Sequence, residues 1–292
     1  MKSKILIAWI VDLLLISFSG AAEIIDDEGN LVRLEKPAER IISLAPSLTE
    51  LVYAAGAGSR LIGVVEYSDY PASADSLPVV GRFDGLDIER ILELKPDLIV
   101  AWQSGNPKSS ITQLKNLNLK VYVAEPKNLS SIASHIEKLS VLTGTESRAQ
   151  IAIQEFDSIY GELKRRYNNK SKVKIFYQLW DRPIITVGGN ELINDIIELC
   201  GGENIFGDLP QLAPKIDQES VLIRNPKVIV ASGSNTERPQ WLDEWKLWPQ
   251  LTAVAEENLY FIIPELLQRH TPRALLGTRQ MCEYIDQARK AI

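Results

Sequence analysis

The sequence predicts an α/β fold of two similar parallel-sheet lobes joined by one long α-helix. Three observations predict it. First, a fifteen-residue unit occurs twice, as DIERILELKPDLIVA from Asp87 to Ala101 and as DQESVLIRNPKVIVA from Asp217 to Ala231, with seven identities and starts 130 residues apart. Second, helix and strand patterns alternate through both halves, the sequence sign of a mostly parallel sheet. Third, Glu146 to Tyr167 lacks proline, has glycine only at Gly161, and repeats apolar residues at helical spacing through Ile153, Phe156, Tyr160, Leu163 and Tyr167.

Each copy of the unit reads as a short helix, a proline stop and a buried strand. Asp87 and Asp217 can accept hydrogen bonds from free helix amides as N-caps, and Glu89 and Glu219 suit the first turn. Pro96 and Pro226 end the helices, because proline has no amide donor and disfavours helical geometry just before it. Leu98 to Ala101 and Val228 to Ala231 are apolar on both faces, as strands of a covered sheet are. Units this far apart indicate two lobes rather than tandem short repeats, whose periods are about 20–50 residues.

The remaining elements follow in order. Glu23 to Glu39 forms an N-terminal hairpin turning at Asp27 to Asn30, and Arg40 to Leu44 is the first buried strand. Pro46 begins a helix in which Ser47 and Glu50 fit a capping box, closed by Gly56 and Gly58. Leu61 to Val65 is a strand, and the loop EYSDYP follows from Glu66 to Pro71. After the first unit come a helix at Ile111 to Leu117, a strand at Val121 to Val123, and a helix from Ser130 to Leu142 closed by Gly144. Glu146 to Tyr167 makes a helix of about six turns, a stiffer connector than a Gly/Ser coil. The second half has a strand at Val173 to Leu179, a hairpin at WDRP, a helix at Glu191 to Leu199, the second unit, a last strand at Asn258 to Ile263 and a final helix from Pro272 to Lys290. The expected division is 1–22 as an export signal, 23–144 as the first lobe, 145–169 as the connecting helix and 170–292 as the second lobe.

The chain has 292 residues, 45% hydrophobic and 24% charged, with a formal net charge of −6. That balance, with no basic stripe, excludes nucleic acid as an expected partner. Met1 to Lys4 is basic, Ile5 to Phe18 is apolar apart from Asp12, and Ser19 to Ala22 is a small-residue exit, the layout of a secretory signal cleaved near Ala22. The competing reading is an uncleaved anchor, which the shortness of the apolar run opposes, since a span needs ~20 residues. The product is expected in an exported compartment, where disulfides persist. There Cys200 and Cys282 can pair, the alternative being two separate buried thiols.

Open α/β sheets bind ligands beyond the carboxyl ends of their strands. Tyr67, Phe83 and Trp102 stand there in the first lobe, and aromatic planes suit a large flat ligand. Ordinary packing is the alternative for any one of them alone. Glu89 and Glu219 could be an acid and base pair of a hydrolase, but equivalent positions on two lobes fit docking charges for a two-fold symmetric partner better. Helix-dipole compensation alone would also account for them. There is no G-x-S-x-G and no P-loop, and neither His135 nor His270 has a neighbour at metal-ligand spacing, so no metal site is expected. Arg269 and Arg273 could meet an anionic group of a ligand. Trp241, Trp245 and Trp248, four and three residues apart, read as a packed helical face rather than a ligand cage.

The segments RIISLAPSLTEL, EYSDYP, LDIERILELKPDLIVAW, ELCGGENIF and HTPR carry a resemblance. From about Arg40 to the C-terminus the chain resembles the periplasmic substrate-binding proteins of ABC importers with a rigid interdomain helix, and within them the branch that binds vitamin B12. The resemblance implies a binding protein of the periplasm, not an enzyme, that carries cobalamin or a related corrinoid as transported ligand in a cleft between the lobes, without a cofactor of its own. It implies delivery to an ABC transporter permease and ATPase complex, and a monomer when free. Tyr67, Phe83 and Trp102 match corrinoid-contacting aromatics, and Glu265, Leu266, Leu267, Gln268 and Arg269 match a further ligand-contacting loop. Glu89 and Glu219 match permease-docking glutamates, and Cys200 and Cys282 match a disulfide. The chain departs from the B12 pattern at Leu266, Leu267, Ile185 and Ala213, where that pattern carries aromatics. A siderophore or haem ligand of the same class is the alternative, with Tyr67 or Tyr70 as candidate axial ligands.

Overall fold

In the computed structural model, which describes residues 21–82, 84–233 and 236–290, two four-stranded parallel sheets precede and follow a 22-residue helix. Residues 1–20 of the expected export signal lie outside the described residues. The chain enters through a hairpin of β1 (Ala22–Ile25) and β2 (Leu31–Leu34), in which Ala22 already faces Leu34. Its turn is closed by Asp26, whose carboxylate accepts from the Glu28 and Asn30 amides.

The first sheet has the order β4-β3-β7-β8, from β3 (Ile41–Ser43), β4 (Leu61–Val64), β7 (Leu98–Trp102) and β8 (Val121–Ala124). Short strands β5 (Gly81–Arg82) and β6 (Gly85–Leu86) pair beside it. The second sheet has the order β12-β9-β13-β14, from β9 (Val173–Gln178), β12 (Gly202–Asn204), β13 (Val228–Ala231) and β14 (Leu259–Phe261), with the WDRP hairpin as β10 (Trp180–Asp181) and β11 (Ile184–Ile185). The strands of the two repeated units, β7 and β13, are both interior, each paired on both sides.

Strand alternation assigns each face of these interior strands its own core. Leu98 and Val100 of β7 join one apolar cluster, while Ile99 and Ala101 join another. Val228 and Val230 of β13 join the same first cluster, while Ile229 and Ala231 face a third. The shared cluster continues through α5 (Glu146–Tyr167), whose Ala149, Phe156, Leu163 and Tyr167 are buried, with Ile153 and Tyr160 packed beside them. This stripe repeats every three and four residues, so one face of a 22-residue helix seals both lobes at once. Lys164, Arg165 and Arg166 fill its last turn, where cations suit the helix dipole.

The other helices are α1 (Pro46–Ala54), α2 (Ile88–Glu93), α3 (Lys108–Asn116), α4 (Leu129–Thr143), α6 (Leu192–Leu199), α7 (Gln218–Arg224), α8 (Thr252–Ala255) and α9 (Ala274–Lys290). Gly144 ends α4 in the left-handed region at φ 60°, as its glycine predicts. Asp87 and Asp217 cap α2 and α7, accepting from the Arg90 and Ser220 amides. The capping box expected at Ser47 and Glu50 does not form. The N-cap of α1 is Ala45, with no side-chain cap, because the helix begins at Pro46 and takes Ser47 into its first turn; the Glu50 carboxylate pairs with two arginines instead.

Cys200, at the end of α6, and Cys282, in α9, are joined by a disulfide across 82 residues. This resolves the pairing left open by the sequence. The tryptophan face lies on a 3₁₀ segment, Gln240–Leu247, where buried Trp245 donates its indole N–H to Gln178 Oε1 at 2.7 Å and Trp248 tilts against it.

Candidate ligand-binding site

A cleft of about 1050 Å³ is walled by both lobes. It opens beyond the carboxyl ends of the strands, as expected for open α/β sheets. The first lobe contributes Trp102 and Gln103 after β7 and the stretch from Glu125 to Asn128 after β8. The second contributes Leu179 after β9, the start of α6, and Gln268 and His270 from the loop before α9.

Trp102 is the large aromatic of the first wall. The turn behind it is set by Asn106, a buried residue whose Oδ1 accepts from the Trp102 amide at 2.7 Å while its Nδ2 donates to the Leu44 carbonyl at 2.9 Å. The indole lies against Gly105, where any Cβ would fall 1.8 Å from the ring. A glycine three residues after Trp102 is therefore a requirement of the indole's position, and no local pattern marks it out.

The second wall is polar and acidic. Glu191 caps α6, accepting from the Ile193 amide at 2.5 Å, and its carboxylate sits 3.8 Å from His270 Nε2. Burial pushes the Glu191 carboxyl up to about 7 and outweighs the backbone amides that favour its charge. Burial likewise pushes the His270 imidazole down to about 4. At 3.8 Å the two are too far apart for a hydrogen bond. Near neutral pH the imidazole is thus uncharged, so this contact is not an ion pair although its separation allows one. Asp195, one turn further along α6, accepts from the Leu129 amide at 2.9 Å and so supports the first turn of α4 from the opposite lobe.

A second interlobe contact lies at the edge of the cleft. Glu50 on α1, 2% exposed at its side chain, receives Arg273 through Nε at 2.8 Å and Arg269 through Nη1 at 3.2 Å. Arg269 also binds Asp69 at 2.7 Å and the Tyr67 carbonyl at 3.2 Å. The two arginines expected to meet an anionic ligand group are thus turned onto the first lobe, because a buried carboxylate needs nearby cations to remain ionised.

The residues singled out from sequence are distributed unequally around this cleft. Trp102 and Gln268 line it, as does Ala213. Tyr67 is 68% exposed in the loop after β4, with its backbone in the left-handed region at φ 64°. Phe83 lies outside the described residues. Leu266 and Leu267 are buried in the shared core rather than forming cleft wall, and Ile185 is half-buried in β11. Glu265 is half-buried, with Oε2 enclosed and unpartnered among the described residues. Glu89 and Glu219 are exposed in the first turns of α2 and α7, one on each lobe.

Glu191, Asp195 and His270 were missed as cleft residues. A helix-starting Glu carries no local sign of being buried, and His270 was weighed for metal-ligand spacing rather than for its place in a cleft.

A family model described as periplasmic binding protein matches residues 41–266. Among curated relatives, the vitamin B12-binding protein of Vibrio parahaemolyticus serotype O3:K6 (strain RIMD 2210633) is 36% identical over 261 residues, 89% of this chain and 94% of that one. The vitamin B12-binding protein of Yersinia pestis (strain Pestoides F) is 38% identical over 246 residues, 84% of this chain and 86% of that one. Among solved structures, the periplasmic vitamin B12 binding protein BtuF of Vibrio cholerae superposes with a TM-score of 0.80 at 38% identity, covering 87% of this chain and 99% of that chain. The periplasmic haem binding protein HutB of Vibrio cholerae superposes with a TM-score of 0.73 at 23% identity, over 84% and 97%, a likeness of fold.

Proposed function

The chain belongs to the periplasmic binding protein family, and from that premise we propose that it captures vitamin B12 or a related corrinoid in the interlobe cleft and delivers it to an ABC transporter permease and ATPase complex. The observation that carries this reading is the cleft of about 1050 Å³ with the flat indole of Trp102 in its wall. Stacking and apolar contact on Trp102 hold the corrin plane, and the amides around its rim meet the polar groups of the second wall. In this reading Tyr67 and Phe83 are further aromatic contacts of the ligand, and Gln268 meets it from the stretch Glu265 to Arg269.

In this reading an export signal is removed near Ala22, and the mature chain works in the periplasm as a monomer when free. The lobes divide at 144 and 169, with the helix between them keeping closure small. No bond is made or broken. Glu89 and Glu219 serve as docking charges, one from each lobe, for arginines on the two halves of the permease. Reversing both, as Glu89→Lys with Glu219→Lys, removes uptake and leaves ligand affinity unchanged.

Calorimetric titration of residues 23–292 with cyanocobalamin and then cobinamide tests the reading. One-to-one binding of either is expected, and binding of neither overturns it. One observation favours haem as a second reading: the uncharged His270 imidazole lines the cleft and could donate to an iron axial position. A Soret shift on haem titration that is lost in His270→Ala, with no corrinoid binding, would establish haem instead.

A further inference from the structure

We propose that Arg269 and Arg273 are positioning residues, reaching from the second lobe to fix the first-lobe loop 66–71, and with it Tyr67, at the rim of the cleft. The proposal rests on the reading of this cleft as the ligand site.

Five contacts carry it, and all run from the second lobe to the first. Arg273 grips Glu50 through Nε at 2.8 Å and Nη2 at 2.5 Å, the forked geometry in which guanidinium and carboxylate pair best. Its guanidinium also lies 4.0 Å from the centroid of the Tyr70 ring, a cation–π contact. Arg269 shares the same Glu50 carboxylate and adds Asp69 and the Tyr67 carbonyl. Asp69 is held below the ordinary carboxylate range, since the Arg269 hydrogen bond and charge outweigh its burial. Glu50 is therefore a buried post on α1 to which both arginines are tied, and the loop hangs from the same two side chains. Thr49, next to Glu50, adds a hydroxyl contact to Ser68 at 3.3 Å.

The loop needs such support. Tyr67 holds a positive φ of 64°, a conformation that L-residues other than glycine, asparagine and aspartate seldom adopt. Arg269 binds the carbonyl of that residue. The neighbours of Arg269 in the chain, Gln268 and His270, both line the cleft. One short segment of the second lobe thus forms cleft wall and sets the backbone from which the first-lobe tyrosine projects. Cleft width and tyrosine placement are coupled through it.

A double-mutant cycle separates this role from direct ligand contact by Arg269. Cyanocobalamin affinity is measured calorimetrically for the wild type, Arg269→Ala, Tyr67→Ala and the double variant. Arg269→Ala is expected to weaken binding about tenfold alone and to have no further effect once Tyr67 is gone. Equal losses in both backgrounds overturn the proposal. Amide hydrogen exchange of the ligand-free protein gives a readout independent of ligand. Exchange at 66–70 accelerates in Arg269→Ala, and to a smaller degree in Asp69→Asn, while amides of α5 are unchanged. Unaltered exchange at 66–70, or acceleration spread through both lobes, overturns the positioning role. Should the wild type bind neither cyanocobalamin nor cobinamide, the ligand reading fails and the exchange measurement still decides this one.

Discussion

The two copies of the repeated unit fold alike and lead to unlike walls. In both, an aspartate caps a short helix, a glutamate stands exposed in its first turn, a left-handed residue precedes the proline, and an apolar strand enters the middle of a sheet. Past the strand the copies part. The first ends in Trp102, an aromatic cleft surface; the second ends in Ser232 and Gly233, which accept the side-chain amide of Gln268. The scaffold tolerates little change because both faces of the strand are packed, whereas the residues after it face a cleft and are free to differ. Likeness in the frame therefore says little about likeness in the site.

The lobes also differ in what holds them. A disulfide closes an 82-residue loop in the second lobe, and the first lobe contains no cysteine. The first lobe has a half-buried polar knot, in which Asp27 bonds His135 at 2.6 Å and Lys138 at 3.0 Å. The largest effect expected from breaking this difference is therefore on the second lobe. Cys200→Ser with Cys282→Ser should cost it about 4 kcal/mol in the chain-entropy account. Hydrogen exchange should then show α6 and α9 opening before α4. Equal loosening of both lobes would mean that the shared core around α5 makes them one cooperative unit.

Acid sharpens the contrast. Burial opposes the charge of Asp27, but hydrogen bonds from His135 and the Glu125 amide prevail and hold its carboxyl well below the ordinary range. A depressed carboxyl contributes stability above its unfolded value and loses it as pH falls further, so the first lobe weakens in acid below about pH 4. The second-lobe pair behaves otherwise. Burial pushes the Glu191 carboxyl from its ordinary 4.5 up to about 7, so the folded chain holds an extra proton between them and stability falls as pH rises through that window. His270 titrates at about 4 against 6.5, so the folded chain holds one proton fewer and stability rises over its window. The two slopes oppose each other over most of that range. Glu191→Gln should unmask the rise and His270→Asn the fall, each up to about 3 kcal/mol. Chemical denaturation at half-unit pH steps measures both, and parallel slopes in the two variants would break the assignment.

The frame was legible in the sequence because it is built from local rules. Proline stops, aspartate caps, short apolar strand runs and the three-and-four stripe of α5 each depend on neighbours within a few residues. The second wall was not legible, because its properties come from long-range placement. Glu50 fitted a capping box at the right spacing, and nothing near it in the chain announces two arginines 219 and 223 residues away. Leu266 and Leu267 occupy a segment matched to a ligand loop, yet α9 and the loop before it pack them into the core. Apolar side chains in such a loop can face either way, and burial decides.

The smallest expected effect tests the likeness itself. Lys95 and Asn225 are equivalent positions in the two units, and both lie in the left-handed region, at φ 49° and 43°. The backbone demand is the same, but the residues meet it differently. Asparagine enters this region readily, and Asn225 Oδ1 also accepts from the Thr252 amide at 2.9 Å, joining α7 to α8. Lysine has no such bond to offer; its carbonyl accepts from Arg40 Nε at 3.0 Å and its amide donates to the Leu92 carbonyl at 3.1 Å. Glycine relieves the steric cost of the conformation while adding backbone entropy to the unfolded chain. Lys95→Gly should therefore raise stability by about 0.5–1 kcal/mol. Asn225→Gly should lower it by about 1 kcal/mol, because the Thr252 amide loses its partner and little strain is relieved. Urea midpoints of the two variants read the difference directly. Opposite signs mean that one backbone has been filled by two different solutions. The same sign in both would mean that the turn, rather than the residue in it, sets the energy at this point of the repeat.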